Sequence, residues 1–384
     1  MRILYVASDQ TVPGTLGGSV HVQAVAEGLA AVGHEVHVAV TPGGPWPEGP
    51  VTWHAMPPPF GIQALRWARA GAIARLAKQI GASIVIERYY NFAGEGVLAA
   101  HRLGLPSVLE VNSPVIDYSG SLKARLDRLL IVEPMRQWRD RLCRMVDLFV
   151  TPVAAILPAW VDRRRILEVE WGADTTAFRP AGGEPPPFAR DPSRLLCVFA
   201  GAFRSWHGVA KLTSALARMA AAGERRFGAI LIGDGPERAK VERQVRDVPG
   251  VRFTGAVPHA DLPRYLAAAD IGVAPFDPLR HRSLELGFYW SPLKIFEYMA
   301  SGLPVVAPRL PRLTRLVEDG REGLLYDPDD PRGLDHALMS LADPALRQRL
   351  GHAARDRAVR EFSWKAHCAR LDERLRDLVR SSPS

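Results

Sequence analysis

The sequence predicts an α/β protein made of two doubly wound, parallel-sheet domains facing a central cleft, and three observations predict it. Apolar strand-like runs and amphipathic helix-like runs alternate along the chain in two successive series. A polar stretch, RPAGGEPPPFARDPSR at 179–194, separates the series, and breakers at that density suit a linker. The length of 384 residues, 47% of them hydrophobic, also exceeds one core, since cores stop growing near ~250–300 residues. The boundaries expected are 1–178, 179–362 and a last helix at 363–384 that crosses back onto the first domain.

In the first series, RILYVAS (2–8) is a strand, and a loop with Gly14, Gly17 and Gly18 leads into the helix VHVQAVAEGLAAVG. HEVHVAV alternates as a strand and stops at TPGGPWP. ASIVIERYY, PSVLEVN and DLFVTP read as further strands around the helix FAGEGVLAAHRLG and one long amphipathic helix, LKARLDRLLIVEPMRQWRDRLCRMV. After the linker come the strands LLCVFAGAF, FGAILIGDG, VRFTGAV, DIGVAPF, PVVAP and GLLYDP. Helices such as VAKLTSALARMAA and ERAKVERQVRD lie between them. Each series is thus Rossmann-like, and ligands of such sheets bind at the carboxyl ends of the strands.

The formal charge of +8 points to an anionic partner such as nucleotide phosphate or acidic lipid; a solvated, Arg-rich surface accounts for it equally. No nucleic-acid partner is expected. Cys143, Cys197 and Cys368 have neither disulfide nor metal-knuckle spacing. With no signal peptide and no 18-residue apolar run, a soluble, cytoplasmic protein is expected.

The most informative stretch is GFYWSPLKIFEYMASGLPVVAP, residues 287–308. Ser291 is a good N-cap and Pro292 fits the first helical position, with Leu293 after it. Lys294 would add a full charge to the free N–H groups of that turn, and Glu297 shares its helix face. A diphosphate at the helix start, with ribose hydroxyls on Glu297, explains all of them. So does an ordinary capped helix carrying a Lys–Glu pair. Gly17 and Gly18 let backbone approach a phosphate or sugar, or form a plain βα turn. Asp327-Pro328-Asp329 has the form of a metal-binding acidic triplet, but Asp329 or Asp330 fits a helix N-cap better, and no metal is expected.

SPLKIFEYMASGLPVVA resembles the donor-site segment of glycosyltransferase family 4 (GT4), whose retaining enzymes adopt the GT-B fold of two Rossmann-like domains. GGSVHVQAVAEGLAAVGHEVHVAV, VEWGADTTAFRP, FAGAFRSWHGVAKL, LIGDGPE and VRFTGAVPHADLPRYLAAADIGVAPF resemble further family segments, in family order. The resemblance implies a nucleoside diphosphate sugar as donor, UDP or GDP, and no cofactor. It places Lys294, Glu297, Arg204 and Asn112 in catalysis. Around the donor it places Gly17, Gly18, His207, Gly233 of LIGDGPE, Phe253 of VRFTGAV, Tyr289, Ser291, Pro292 and Leu293.

Departures from the pattern are informative. Tyr289 stands eight residues before Glu297, where most members carry a sugar-contacting Glu, and Glu285 is off register. Ala202 and His207 replace the usual Arg and Lys after the first strand glycine, which leaves Arg204 and Lys294, with Arg280 and Arg282 as further candidates, to hold the diphosphate. Asn112 replaces a His that touches the transferred sugar. Glu110 either serves the acceptor, with Arg88, or is a structural carboxylate paired with Arg88.

The implied reaction is transfer to a glycan, lipid-linked or small-molecule hydroxyl in bacterial polysaccharide or glycoconjugate synthesis, by front-face attack with retention. A sugar-nucleotide epimerase and a non-catalytic scaffold at a membrane are the alternatives. RWARAGAIARLAK (66–78) and the long helix at 122–145 are basic and amphipathic, with Trp67, Leu126, Leu129, Leu130 and Trp138 on their apolar sides. Peripheral contact with an anionic membrane and core-facing helices both fit that pattern.

Overall fold

The computed structural model describes residues 1–90, 93–118, 121–130, 133–180, 187–277, 279 and 286–381. The chain divides into two compact units. One comprises Met1–Trp171, Tyr289–Ser291 and Trp364–Ser384; the other comprises Gly172–Phe288 and Pro292–Ser363.

The first unit runs β1 (Arg2–Val12), α1 (Gly17–Ala31), β2 (Glu35–Pro42), β3 (Val51–Ala55), α2 (Ala70–Ile80), β4 (Ile84–Arg88), α3 (Glu95–Leu103), β5 (Ser107–Glu110), α4 (Leu122–Leu130), α5 (Pro134–Met145), β6 (Leu148–Thr151) and β7 (Ile166–Glu168). The second runs β8 (Leu195–Ala200), α6 (Val209–Ala221), β9 (Phe227–Ile232), α7 (Arg238–Gln244), β10 (Val251–Gly255), α8 (Leu262–Leu266), β11 (Ile271–Val273), α9 (Leu293–Ala300), β12 (Val305–Pro308), α10 (Leu313–Leu316), β13 (Gly323–Tyr326), α11 (Gly333–Ser340) and α12 (Pro344–Glu361). The last helix, α13 (Trp364–Ser381), belongs to the first unit.

Both sheets are parallel. Their orders are β3-β2-β1-β4-β5-β6-β7 and β10-β9-β8-β11-β12-β13. In each, the order reverses beside the first strand, between β1 and β4 and between β8 and β11, where crossovers leave a crevice for ligands. The central strands are apolar on both faces, as sheets covered by helices require: Ile3 to Ala7 and Cys197 to Phe199 are fully buried.

Several expectations are corrected. β1 continues to Val12, with a register shift against β2 between Ala7 and Thr11. Gly17 and Gly18 are the first turn of α1 and not a loop before it. The long helix expected at 122–146 is two, α4 and α5. Pro134 lacks the N–H that a continuous helix needs, and Glu133 takes the left-handed conformation at φ 45°. Asp127 of α4 then accepts the free N–H groups of Met135 at 2.7 Å and Arg136 at 2.9 Å, starting α5 from across the break. Residues 63–69 form a 3₁₀ turn ahead of α2 and not part of one helix from 66.

Candidate functional site

In the second unit, glycine shapes the carboxyl edge of the sheet. Gly201 follows β8 at φ 139°, and a Cβ there would stand 2.9 Å from Lys294 Nζ. Gly233 follows β9 at φ 128°, where a Cβ would fall 2.1 Å from the Gly201 carbonyl oxygen. Neither position accepts a side chain.

Lys294 is in the first turn of α9 and buried. Its Nζ lies 4.0 Å from the centre of the Phe199 ring and 5.3 Å from that of Phe276, and no hydrogen-bond acceptor reaches it among the described residues. Burial holds its pKa down to about 7, against the weaker pull of Glu297. Glu297, one turn on, is 5% exposed and its Oε1 accepts from His259 Nε2 at 2.8 Å. His259 follows β10 in a 3₁₀ turn. Burial lowers its pKa, but Glu297 and Asp174 outweigh that and raise it overall. His207 donates from Nδ1 to the Ala202 carbonyl at 2.7 Å, and exposed Arg204 lies over the Trp206 ring. Phe253 packs against Phe203 and under Arg238, part of the wall of the hydrophobic core.

The start of α9 differs from the expected cap. Pro292 takes the N-cap place, Leu293 is the first helical residue, and no side chain caps the helix. The Ser291 hydroxyl is engaged elsewhere: it donates to Glu170 Oε2 and accepts the Trp171 N–H at 3.1 Å, contacts within the first unit. Among the described residues, no side chain therefore takes the first N–H groups of the helix, beside Lys294. Tyr289 is buried, with its ring edge-on to Trp290.

In the first unit, the ends of β1, β4 and β5 hold a buried charged network. Glu110 receives the Tyr5 hydroxyl at 2.5 Å, Arg88 at 3.0 Å and the Asn112 amide, and its Oε1 lies 2.7 Å from His21 Nε2. Burial opposes its charge, yet His21, Arg88 and Tyr5 hold its pKa far below the ordinary carboxylate range. Glu110 and Arg88 thus form an ion pair. The Asn112 carbonyl oxygen is taken by Trp171 Nε1 at 2.9 Å, and Trp171 stacks on His21 with ring centres 4.3 Å apart. Arg88 also faces Asp9 at 3.4 Å. Gly18 sits against this group, since a Cβ would fall 2.2 Å from Gln10 Oε1 and 3.3 Å from Arg88 Nη2. Behind it, Arg66 is fully buried between Asp9, Glu87 and Glu95, so it is no surface cation. Glu87 accepts the N–H groups of Gly94, Gly96 and Val97 at the start of α3. Trp138 is likewise turned inward, donating to the Ala93 carbonyl at 2.9 Å.

Residues 16–168 match the family model described as Glycosyltransferase Family 4, and residues 194–343 match the one described as Glycosyl transferases group 1. Together these cover most of the chain. It belongs to glycosyltransferase family 4. The chain is 28% identical over 291 residues to sulfoquinovosyl transferase SQD2 of Arabidopsis thaliana, a match over 72% of this chain and 53% of that one, so it spans about half that relative's length. Among solved structures it superposes on sucrose-phosphate synthase from Thermosynechococcus elongatus with a TM-score of 0.75, at 19% identity, over 99% of this chain and 100% of that one. Anabaena Alr3699/HepE in complex with UDP-glucose gives 0.70 at 17% identity, over 98% and 100%. The fold is GT-B.

For this family 4 member, sequence reasoning missed His259 and His21. His259 lies in PHAD, and only its place after β10 makes it a partner of Glu297; His21 lies one turn beyond Gly17 and Gly18. Arg280, Arg282 and Glu285 lie outside the described residues. Neither Asp329 nor Asp330 caps α11, which begins at Gly333 with Arg332 at the N-cap. Asp327 and Asp330 instead close turns onto the N–H groups of Asp329 and Arg332. No His, Cys, Asp and Glu group fit for a metal occurs among the described residues, and no described helix is long and apolar enough to cross a membrane.

Proposed function

We propose that the protein moves a hexose from a nucleoside diphosphate sugar, UDP- or GDP-linked, to an acceptor hydroxyl with retention of anomeric configuration and without a metal. The observation that carries this is Lys294: a buried amine with no acceptor among the described residues, at the carboxyl edge of a doubly wound sheet, one turn before a buried carboxylate. An anion completes such a site. Departure of the diphosphate builds negative charge on its oxygens and cationic character on the anomeric carbon. Lys294, Arg204 and the free N–H groups of α9 stabilise the former. Glu297 takes the ribose hydroxyls and fixes the donor's pose. The acceptor oxygen attacks from the face the diphosphate leaves, and its proton passes to a departing phosphate oxygen. The bond from the anomeric carbon to the diphosphate breaks as the bond to the acceptor forms.

The first unit receives the acceptor in this reading. The UDP-glucose held by Alr3699/HepE and the transferase named in the Arabidopsis relative support a sugar nucleotide as donor. The acceptor class proposed is a glycan, a lipid-linked saccharide or a small alcohol of bacterial polysaccharide or glycoconjugate synthesis. A panel of UDP- and GDP-sugars, assayed for slow hydrolysis and for transfer in EDTA, tests the proposal. Cleavage of one donor in EDTA is expected. Cleavage of none would reduce the protein to a scaffold, and recovery only with Mg²⁺ or Mn²⁺ would overturn the metal-free reading.

A further inference from the structure

We infer that His259 is a positioning residue for the donor's ribose: it fixes the plane of the Glu297 carboxylate so that both oxygens present themselves to a vicinal diol. This rests on the donor-site reading of Glu297.

A buried carboxylate accepts up to about four hydrogen bonds, and Glu297 receives one among the described residues, from His259 to Oε1. A carboxylate only accepts, so the proton of this contact sits on Nε2. Among the described residues Oε2 and the second lone pair of Oε1 receive no hydrogen bond, which leaves them able to accept from a group with two donors. A Glu side chain left free carries considerable rotamer entropy, and ordering it at the moment of binding weakens affinity. His259 orders it beforehand. The imidazole is itself held: the 3₁₀ turn after β10 sets its backbone, and the Phe178 ring lies 5.5 Å away. Asp174 and Glu297 both favour its charged form.

The contact is badly placed to serve folding. The His259 side chain is 32% exposed, and ion pairs that open to water contribute little to stability. A role in holding the fold would call for burial of both partners, whereas a role in binding calls for one partner at the mouth of the site.

The test uses the full-length enzyme, calorimetry with UDP and GDP, and the 2′-deoxy counterpart of whichever binds more tightly. Wild type is expected to bind the ribose form about tenfold more tightly than the deoxy form, as loss of one hydroxyl contact to a charged group implies. His259→Ala should weaken the ribose form about tenfold, shrink the ribose-to-deoxy ratio toward one, raise donor KM and leave kcat at saturating donor within about twofold. His259→Gln, whose amide N–H reaches the same oxygen, should restore most of the affinity and the ratio. In a Glu297→Ala background, His259→Ala should add nothing. An unchanged ratio in His259→Ala, a Gln variant no better than Ala, or a fall in kcat with KM unchanged would overturn the inference. If Glu297→Ala binds both diphosphates as wild type does, the donor-site reading fails. If Glu297→Ala loses binding while His259→Ala does not, only this inference fails.

Discussion

Burying the Lys294 ammonium over Phe199 and Phe276, with no hydrogen-bond acceptor among the described residues, costs folding free energy, and the same arrangement prepares a site for an anion. The signs of the two effects can be separated. The folded pKa of about 7 lies below the ordinary 10.5, so between those values the unfolded chain binds the additional proton and stability rises with pH. Lys294→Met, which keeps the reach and drops the charge, is therefore expected to raise Tm at pH 7 by about 2 °C or more, a gain that shrinks toward pH 10. The same variant should lose at least ~10²-fold in turnover. A bound diphosphate restores the charge, so UDP affinity in wild type should fall as pH rises above about 7, with proton uptake visible between buffers of different ionisation enthalpy. The Met variant should show no such uptake above pH 7. A wild-type Tm insensitive to the substitution, or uptake persisting in the variant, would remove Lys294 from this role. The sequence placed Lys294 and Glu297 on one helix face because they are three residues apart. It was silent on His259, whose partner is 38 residues away.

At the scale of elements, α1 and α13 touch without a side chain on one of them. Gly28 of α1 leaves room for Cys368, and a Cβ at Gly28 would fall 2.4 Å from its Sγ. Helix propensity favours alanine over glycine by about 1 kcal/mol, and overpacking opposes it by about 1–3 kcal/mol. Gly28→Ala is accordingly expected to destabilise by up to about 2 kcal/mol in urea titration, and Cys368→Ala in the same chain to recover most of that. Strict additivity of the two changes would show that the helices adjust freely. Cys368, Leu371 and Leu375 are buried here, and His367 donates to the Glu170 carbonyl at 2.7 Å, so α13 is an integral part of the first unit. The splitting of α4 from α5 belongs to the same scale. The amphipathic period runs straight through Pro134, so pattern alone reads one helix where the proline's missing N–H makes two.

For the whole molecule, the charge of +8 raises the question of an anionic surface. Arg66 and Arg139, both counted in the basic faces by sequence, are buried in ion pairs and contribute nothing outward. What the first unit does expose is Leu129 at 77%, Leu130 and Leu126 on α4, with Arg125 and Arg128 among them, and Trp67 and Phe60 ahead of α2. Interspersed apolar and basic side chains of this kind suit the headgroup layer, each cation contributing about 1 kcal/mol. We propose peripheral contact with an anionic membrane through α4. Co-sedimentation with phosphatidylserine vesicles at low salt is expected, weaker at physiological salt, and reduced by Leu129→Ser with Leu130→Ser. Absence of pelleting even at low salt would leave the charge as ordinary surface and point to a soluble acceptor.

The sequence by itself determined what depends on near neighbours. The alternation of strand and helix, the two series, the glycines after β8 and β9 and the placing of Lys294 and Glu297 on one helix face all follow from periods of two and 3.6 residues and from local backbone limits. Only the tertiary structure decided which charges are neutralised and which remain for a ligand. Arg88 and Glu110 lie on neighbouring strands, β4 and β5, at paired positions, and their ion pair forms because the sheet aligns them. His21 reaches Glu110 from α1, Ser291 reaches Glu170 from 121 residues away, and Lys294 reaches no acceptor at all among the described residues. Periodicity fixes the face a residue lies on; the partner it meets there is set by how strands far apart in the chain come to lie side by side, and desolvation at that place decides its charge.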